Sequence, residues 1–118
     1  MDEIKPPKAM VKFDDFARMD LRAARVIEAA EHPNADKLLI LQVDLGSERR
    51  QVCAPLKGHY RPEELVGKMV IVLANLEPRN MRGQASQGMV LVANEGPTKQ
   101  RVVVLSPSQD VSPGSAVS

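Results

Sequence analysis

Residues 61–67 read Arg-Pro-Glu-Glu-Leu-Val-Gly, one turn of helix set between stretches patterned as strands. Proline suits a first helical position, since the N–H it lacks is one the helix leaves unpaired anyway. Glu63 and Glu64 stand where a helix's positive end favours carboxylates, and Gly67 stops it. Upstream, residues 38–45 and 50–54 flank a Gly46-Ser-Glu turn and read as a hairpin, preceded by an alternating strand at 21–28. Downstream, short apolar runs at 69–74, 89–93 and 102–105 read as further strands. Five or six short strands with one small helix between the third and fourth is the order of a five-stranded Greek-key barrel of the OB type. The pattern therefore predicts an all-β OB-fold barrel with a C-terminal extension broken up by Pro107 and Pro113, and a small sandwich as its second solution. Phe13, Phe16 and Ala17 fall at i, i+3 and i+4, which predicts a short helix over 13–19 with both rings on a buried face. Residues 1–11 read as a flexible arm before a domain of residues 12–118.

At 118 residues, with 43% hydrophobic and 26% charged, the chain suits one soluble domain. A single cysteine, Cys53, excludes an internal disulfide and fits a reducing compartment. No apolar run approaches the roughly 18 residues of a membrane helix, and the polar, Pro-interrupted start is not a secretory signal. A cytoplasmic setting follows, with no membrane partner. The net charge of +1 argues against a protein that simply coats nucleic acid. Its distribution is uneven, however: residues 1–48 hold seven Lys/Arg against ten Asp/Glu, and residues 49–94 hold seven against three. A modest basic face is expected, with salt-sensitive binding.

Residues 75–89 read Asn-Leu-Glu-Pro-Arg-Asn-Met-Arg-Gly-Gln-Ala-Ser-Gln-Gly-Met and link two of the predicted strands. Connections inside compact domains are usually about 4–6 residues. This one is longer, holds Arg79 and Arg82, and has no acid between Pro78 and Asn94. Gly83 and Gly88 allow close backbone approach, and Asn75, Asn80, Gln84, Ser86 and Gln87 supply neutral donors and acceptors. That set suits a polyanion, and in an OB barrel the loop between the last two strands faces the ligand. Catalysis has no support: Ser86 has no His or acid at a recognisable spacing, and no phosphate-cradling loop or dinucleotide fingerprint occurs. His32, His59 and Cys53 lie too far apart for a zinc pattern. No cofactor or metal is expected. Three aromatics (Phe13, Phe16 and Tyr60) cannot build a base-stacking platform, so an RNA partner would be read through its folded shape, phosphates and riboses.

Several segments together resemble the tRNA-binding domain appended to methionyl-tRNA synthetases, which also occurs as a free-standing dimeric protein. They are Phe13-Asp-Asp-Phe with Met19-Asp-Leu-Arg22, the run His32-Pro-Asn-Ala-Asp-Lys-Leu-Leu39, Gln42-Val-Asp-Leu-Gly46 and Pro62-Glu-Glu-Leu-Val-Gly67. The most specific stretch is Ala74-Asn-Leu-Glu-Pro-Arg-Asn-Met-Arg-Gly83 followed by Ser86-Gln-Gly-Met89. The resemblance implies an OB barrel without catalysis that binds tRNA by shape. It also implies a homodimer formed with help from the C-terminal segment, and a synthetase catalytic domain as a further partner. On motif positions it places Asn75, Arg79, Arg82, Ser86 and Met89 on the tRNA-facing surface, with Lys37 as an additional candidate. One departure is Cys53-Ala-Pro-Leu-Lys57, where the family usually reads Val-Ser-Gly-Ile-Ala; proline there removes a backbone donor. The rival reading is a chaperone resembling the CsaA proteins, which share this fold and bind unfolded export substrates.

Overall fold

The computed structural model describes residues 5–118. Its first half contains α1 (Phe13–Ala17), β1 (Leu21–Glu31), β2 (Leu39–Asp44), β3 (Arg49–Ala54), α2 (Pro62–Leu65) and β4 (Met69–Leu73). Then follow β5 (Arg79–Met81), β6 (Gln84–Ser86), β7 (Met89–Val90), β8 (Val92–Glu95), β9 (Arg101–Val104) and β10 (Ala116–Val117). The main sheet runs β3-β2-β1-β4-β7, with β10 added beside β1.

Curvature comes from β1. One half of this 11-residue strand pairs with β4, from Leu21 opposite Leu73 to Arg25 opposite Met69. Its other half pairs with β2, and the register shifts between Val26 and Glu28, a bulge that bends and twists the strand. β2 and β3 pair without interruption, from Leu39 opposite Ala54 to Asp44 opposite Arg49. Closure falls between β3 and the chain entering β7, where Gln87 N–H donates to the Gln51 carbonyl at 2.8 Å. The result is a nearly closed barrel of five strands.

Alternation in β2 places Leu39, Leu41 and Val43 inside, where they meet Val26, Val52, Val70, Val72 and Val90. α2 contributes Leu65 to this core and packs against β1. The Glu64 carboxylate accepts the Arg61 N–H at 2.7 Å, and this backbone bond holds the carboxyl below its usual range. Leu56 and, from β9, Val102 and Val104 complete the core.

A second cluster lies outside the barrel: Ala23, Met69 and Ile71, flanked by Leu21, Leu91 and Val117. The C-terminal segment covers it. Ser106 donates to the Met69 carbonyl, Gly114 N–H donates to the Ala23 carbonyl, and β10 pairs with the start of β1. This docking is tight at two glycines. A Cβ on Gly46 would lie 2.5 Å from the Pro113 carbonyl oxygen, and one on Gly114 would lie 2.1 Å from that of Leu45.

Three sequence expectations change. α1 forms but none of its residues is buried: Phe13 is 77% and Phe16 39% exposed, and the two ring centroids lie 6.4 Å apart. The barrel core is filled by the strands, Leu56 and Leu65 of α2, so the apolar spacing of α1 does not carry its rings into it. The expected strand at 89–93 divides at Leu91, whose N–H bonds Ile71 on β4 while its carbonyl accepts from Leu105 beyond β9. The chain changes pairing partner there. Residues 79–86, expected as a loop, form a ribbon of their own. Of the arm at 1–11, residues 1–4 lie outside the described residues, and residues 5–11 are exposed without regular structure.

Gly88 enters β7 at φ +140°, and a Cβ there would lie 2.9 Å from the Leu73 carbonyl oxygen and 3.2 Å from Val72. Gly88→Ala should therefore destabilise the fold by roughly 1–3 kcal/mol, the usual range for a strained backbone position. Denaturant melts of the two proteins check this, and an unchanged midpoint would contradict the tight contact.

Candidate nucleic-acid interface

In the ribbon, Arg79 stands opposite Ser86, Asn80 opposite Ala85 and Met81 opposite Gln84. The two turn residues, Arg82 and Gly83, have φ of 58° and 96°, both positive as a type I′ turn requires. Gly83 adopts this freely. Arg82 does so at roughly 1–2 kcal/mol, in a position where Asn or Asp is the ordinary choice. The Asn80 carboxamide oxygen accepts the Gly83 N–H at 2.8 Å and fixes the tip.

The ribbon is fastened to the barrel through its own polar atoms. Ser86 is fully buried; its hydroxyl accepts the Cys53 N–H and donates to the Gly88 carbonyl, both at 3.0 Å. From β3, Gln51 donates to the Gln84 side chain at 3.2 Å and to the Ala85 carbonyl at 2.9 Å. Gln87 pairs with the Gln51 backbone through its own N–H and its side-chain oxygen. His32, only 2% exposed, holds the other side. Its Nδ1 accepts the Asn34 N–H at 3.0 Å, which leaves Nε2–H to donate to the Met81 carbonyl at 2.8 Å.

With these bonds in place, the side chains left for a partner are charged. Arg79 and Arg82 are exposed, and neither has a carboxylate partner among the described residues. Arg79 lies close enough to β3 to act on Cys53. Burial pushes that thiol up, and the Arg79 charge opposes the push more weakly, which leaves Cys53 a packed, protonated thiol.

The remaining expected site residues fall in different places. Met89, 36% exposed, follows the ribbon at the rim of the barrel. Asn75 stands at the entry to the stretch with its amide in use: Nδ2 donates to the Arg18 carbonyl at 2.7 Å and Oδ1 accepts the Asp20 N–H at 2.9 Å. It anchors the end of α1. Lys37 is exposed on the 32–38 loop, and its carbonyl accepts the Lys57 N–H at 3.3 Å. Ser86 needs a correction. It was expected at the surface, but it is sealed inside, because its hydroxyl replaces a ladder bond that β3 cannot obtain from the ribbon backbone. His32 and Gln51 are not singled out for this role by the sequence, and Gln87, read there as a donor and acceptor for a partner, is spent on the Gln51 backbone instead. Their only sequence signal is that polar side chains sit at or beside strand positions, which shows an unusual demand but not its partner. Among the described residues no three His, Cys, Asp or Glu side chains group as a metal site, and no helix is long and apolar enough to cross a membrane.

Residues 21–116 match the family model described as "Putative tRNA binding domain". The chain belongs to this tRNA-binding domain family. A methionine–tRNA ligase from Pyrococcus abyssi is 51% identical over 118 residues, covering 99% of this domain and 16% of the ligase. The domain thus spans about a sixth of the length of such relatives. Among solved structures, a methionyl-tRNA synthetase-related protein from Pyrococcus horikoshii superposes with a TM-score of 0.85 at 29% identity, covering 93% of this domain and 99% of that chain. The chaperone CsaA from Bacillus anthracis superposes with a TM-score of 0.83 at 32% identity, covering 93% and 100%.

The His32 ring joins two loops that are far apart in sequence, so its loss should be felt locally. His32→Ala should cost roughly 1–3 kcal/mol, about 0.5–1.5 for each of the two part-buried hydrogen bonds lost, to the Met81 carbonyl and the Asn34 N–H. Amide exchange in residues 79–86 should quicken more than exchange in the β2–β3 hairpin. Uniform acceleration across both would show a general loss of stability and no specific tether.

Proposed function

We propose that this domain binds folded tRNA through the β5–β6 ribbon, without catalysis, in the cytoplasm, and alongside a methionyl-tRNA synthetase catalytic domain. The observation that carries this reading is the pairing of two unpartnered arginines with a ribbon held rigid by buried polar groups. Arg79 and Arg82 can meet phosphate oxygens in bidentate fashion. The scarcity of aromatics leaves backbone and shape as what is read. In this reading Arg79, Arg82 and Met89 touch RNA, Asn75 holds the entry to the stretch, and Ser86 shapes it.

Arg79→Ala combined with Arg82→Asn, which suits the type I′ turn, should weaken tRNA binding. The slope of log affinity against log salt should fall by about 0.7–0.9 for each lost phosphate contact. Different elongator tRNAs should compete within a few-fold of one another, and unstructured oligonucleotides should compete poorly. Filter binding at several salt concentrations measures both. A folded double variant with unchanged slope would move the site elsewhere, and displacement of tRNA by an unfolded polypeptide would favour the CsaA-like reading.

The domain is further proposed to act as a homodimer. Among the described residues the four most exposed large apolar side chains lie in one segment: Met10 is 99% exposed, Val11 75%, Phe13 77% and Met19 50%, with Val66 at 49% elsewhere. The C-terminal segment offers less than its sequence implied. Val102 and Val104 lie in the chain's own core, Val117 packs on its own barrel, and Leu105 and Val111 remain. The two-fold contact is therefore centred on α1, with the tail as a lesser contributor. Two ribbons on one assembly would let two modest basic faces grip one tRNA, raising affinity through effective concentration. Light scattering at tens of micromolar should give a dimer, and Phe13→Glu with Phe16→Glu should give a folded monomer of much lower tRNA affinity. A wild-type monomer that binds tRNA tightly would remove this proposal.

A further inference from the structure

Among the described residues only two other than glycine have positive φ: Arg82 at 58° and Lys99 at 57°. Arg82 is at the tip of the β5–β6 ribbon. Lys99 is in the tip joining β8 to β9, where its N–H donates to the Gly96 carbonyl at 3.1 Å. Left-handed backbone favours Gly, Asn and Asp, so a long basic side chain is a poor choice for turn formation alone. Both strained positions carry a positive charge, and both are exposed.

Lys99 also lines a cleft of about 370 Å³ together with Lys37, Lys57, His59, Asn94 and Thr98, and no Asp or Glu lines it. Lys57 is partly neutralised by Glu31 at 3.6 Å. Lys37 and Lys99 have no carboxylate partner among the described residues. The adjoining recess, larger at about 860 Å³, shares Lys57 and His59 with the cleft and adds Arg61, but Glu31, Asp36, Glu63 and Glu64 outnumber those basic side chains and make it the less favourable place for an anion. One loop connects the cleft to the ribbon. Its start, His32, bonds the Met81 carbonyl, and its end, Lys37, forms a wall of the cleft while its carbonyl accepts the Lys57 N–H. Pro55 lines the same cleft, at the point where the chain departs from its family's Ser-Gly pattern.

We propose that the cleft between Lys37, Lys57 and Lys99 is a second phosphate site, which holds backbone phosphates of the same RNA bound by the β5–β6 ribbon. It rests on the tRNA-binding reading and extends it from one contact region to two, separated by the 32–38 loop. Asn94 and Thr98 supply neutral groups beside the ammonium charges, as a phosphodiester with free oxygens requires. Lys99 accepts an unfavourable backbone because its charge is needed at that tip.

The test uses the full chain with total elongator tRNA between 50 and 200 mM KCl. Lys37→Gln with Lys99→Asn should lower the salt slope by about 1.4–1.8 for two lost contacts, while the unfolding midpoint holds or rises, since Asn tolerates left-handed backbone. A charge-matched control, Lys8→Gln with Lys68→Gln, should leave the slope unchanged. If Arg79→Ala with Arg82→Asn lowers the slope and the cleft pair does not, the second site is wrong and the ribbon reading stands. If neither pair lowers it, the tRNA reading fails and the cleft fails with it. Shifts of the Thr98 and Lys99 amide resonances on adding millimolar inorganic phosphate, with the slope unchanged, would assign the cleft to a free phosphate and overturn the RNA assignment.

Discussion

The bulge in β1 between Val26 and Glu28 is the constraint on which the rest of the molecule depends. A straight strand of this length could serve one flat sheet. The bend lets one half of β1 face β4 and the other half face β2, so the sheet curls until β3 approaches the chain entering β7. The remaining gap is too irregular for a ladder, and side chains bridge it. Ser86, Gln51 and Gln87 hold the seam that a continuous strand pair would otherwise hold. The residues presented to a partner thus grow out of the place where the barrel fails to close by backbone alone.

The outer surface answers to the same curvature. Ala23, Met69 and Ile71 point away from the interior and would be a greasy patch in water. The C-terminal segment covers them, and its approach is so close that glycine is needed on both sides, at Gly46 and Gly114. The chain resolves this face within itself and leaves the apolar side of α1 unresolved. The two ends of the domain therefore differ: the C-terminal one closes the fold, and the apolar side of α1 stays exposed.

Much of the barrel was legible because strand alternation and a proline-started helical turn are local signals. β2, β3 and α2 appear within a residue or so of where their patterns place them. The ribbon was not legible, because its strands are three residues each and carry no apolar alternation. Its one signal was the Arg82-Gly83 pair, a weak form of the Asn-Gly turn. α1 shows a different limit: i, i+3, i+4 spacing says that a face will be covered, and does not say by which molecule. Arg79 and Arg82 stand out in the sequence by charge, since no acid falls between Pro78 and Asn94. Ser86 was misread, because the meaning of a small hydroxyl depends on Cys53, 33 residues away. Lys99 was passed over, since its significance lies in a backbone angle.

The fastening of the ribbon also has an entropic side. A long basic loop left free would have to surrender its conformational freedom each time RNA docks, at about 1–2 kcal/mol per ordered residue. Here that ordering is completed during folding, by the buried serine, the glutamines and the histidine ring. If the ribbon is the RNA contact proposed above, docking costs little beyond bringing two rigid bodies together, and more of the contact energy survives as affinity. The fastening would then act on affinity through the freedom that the ribbon no longer has to lose, with no added contact.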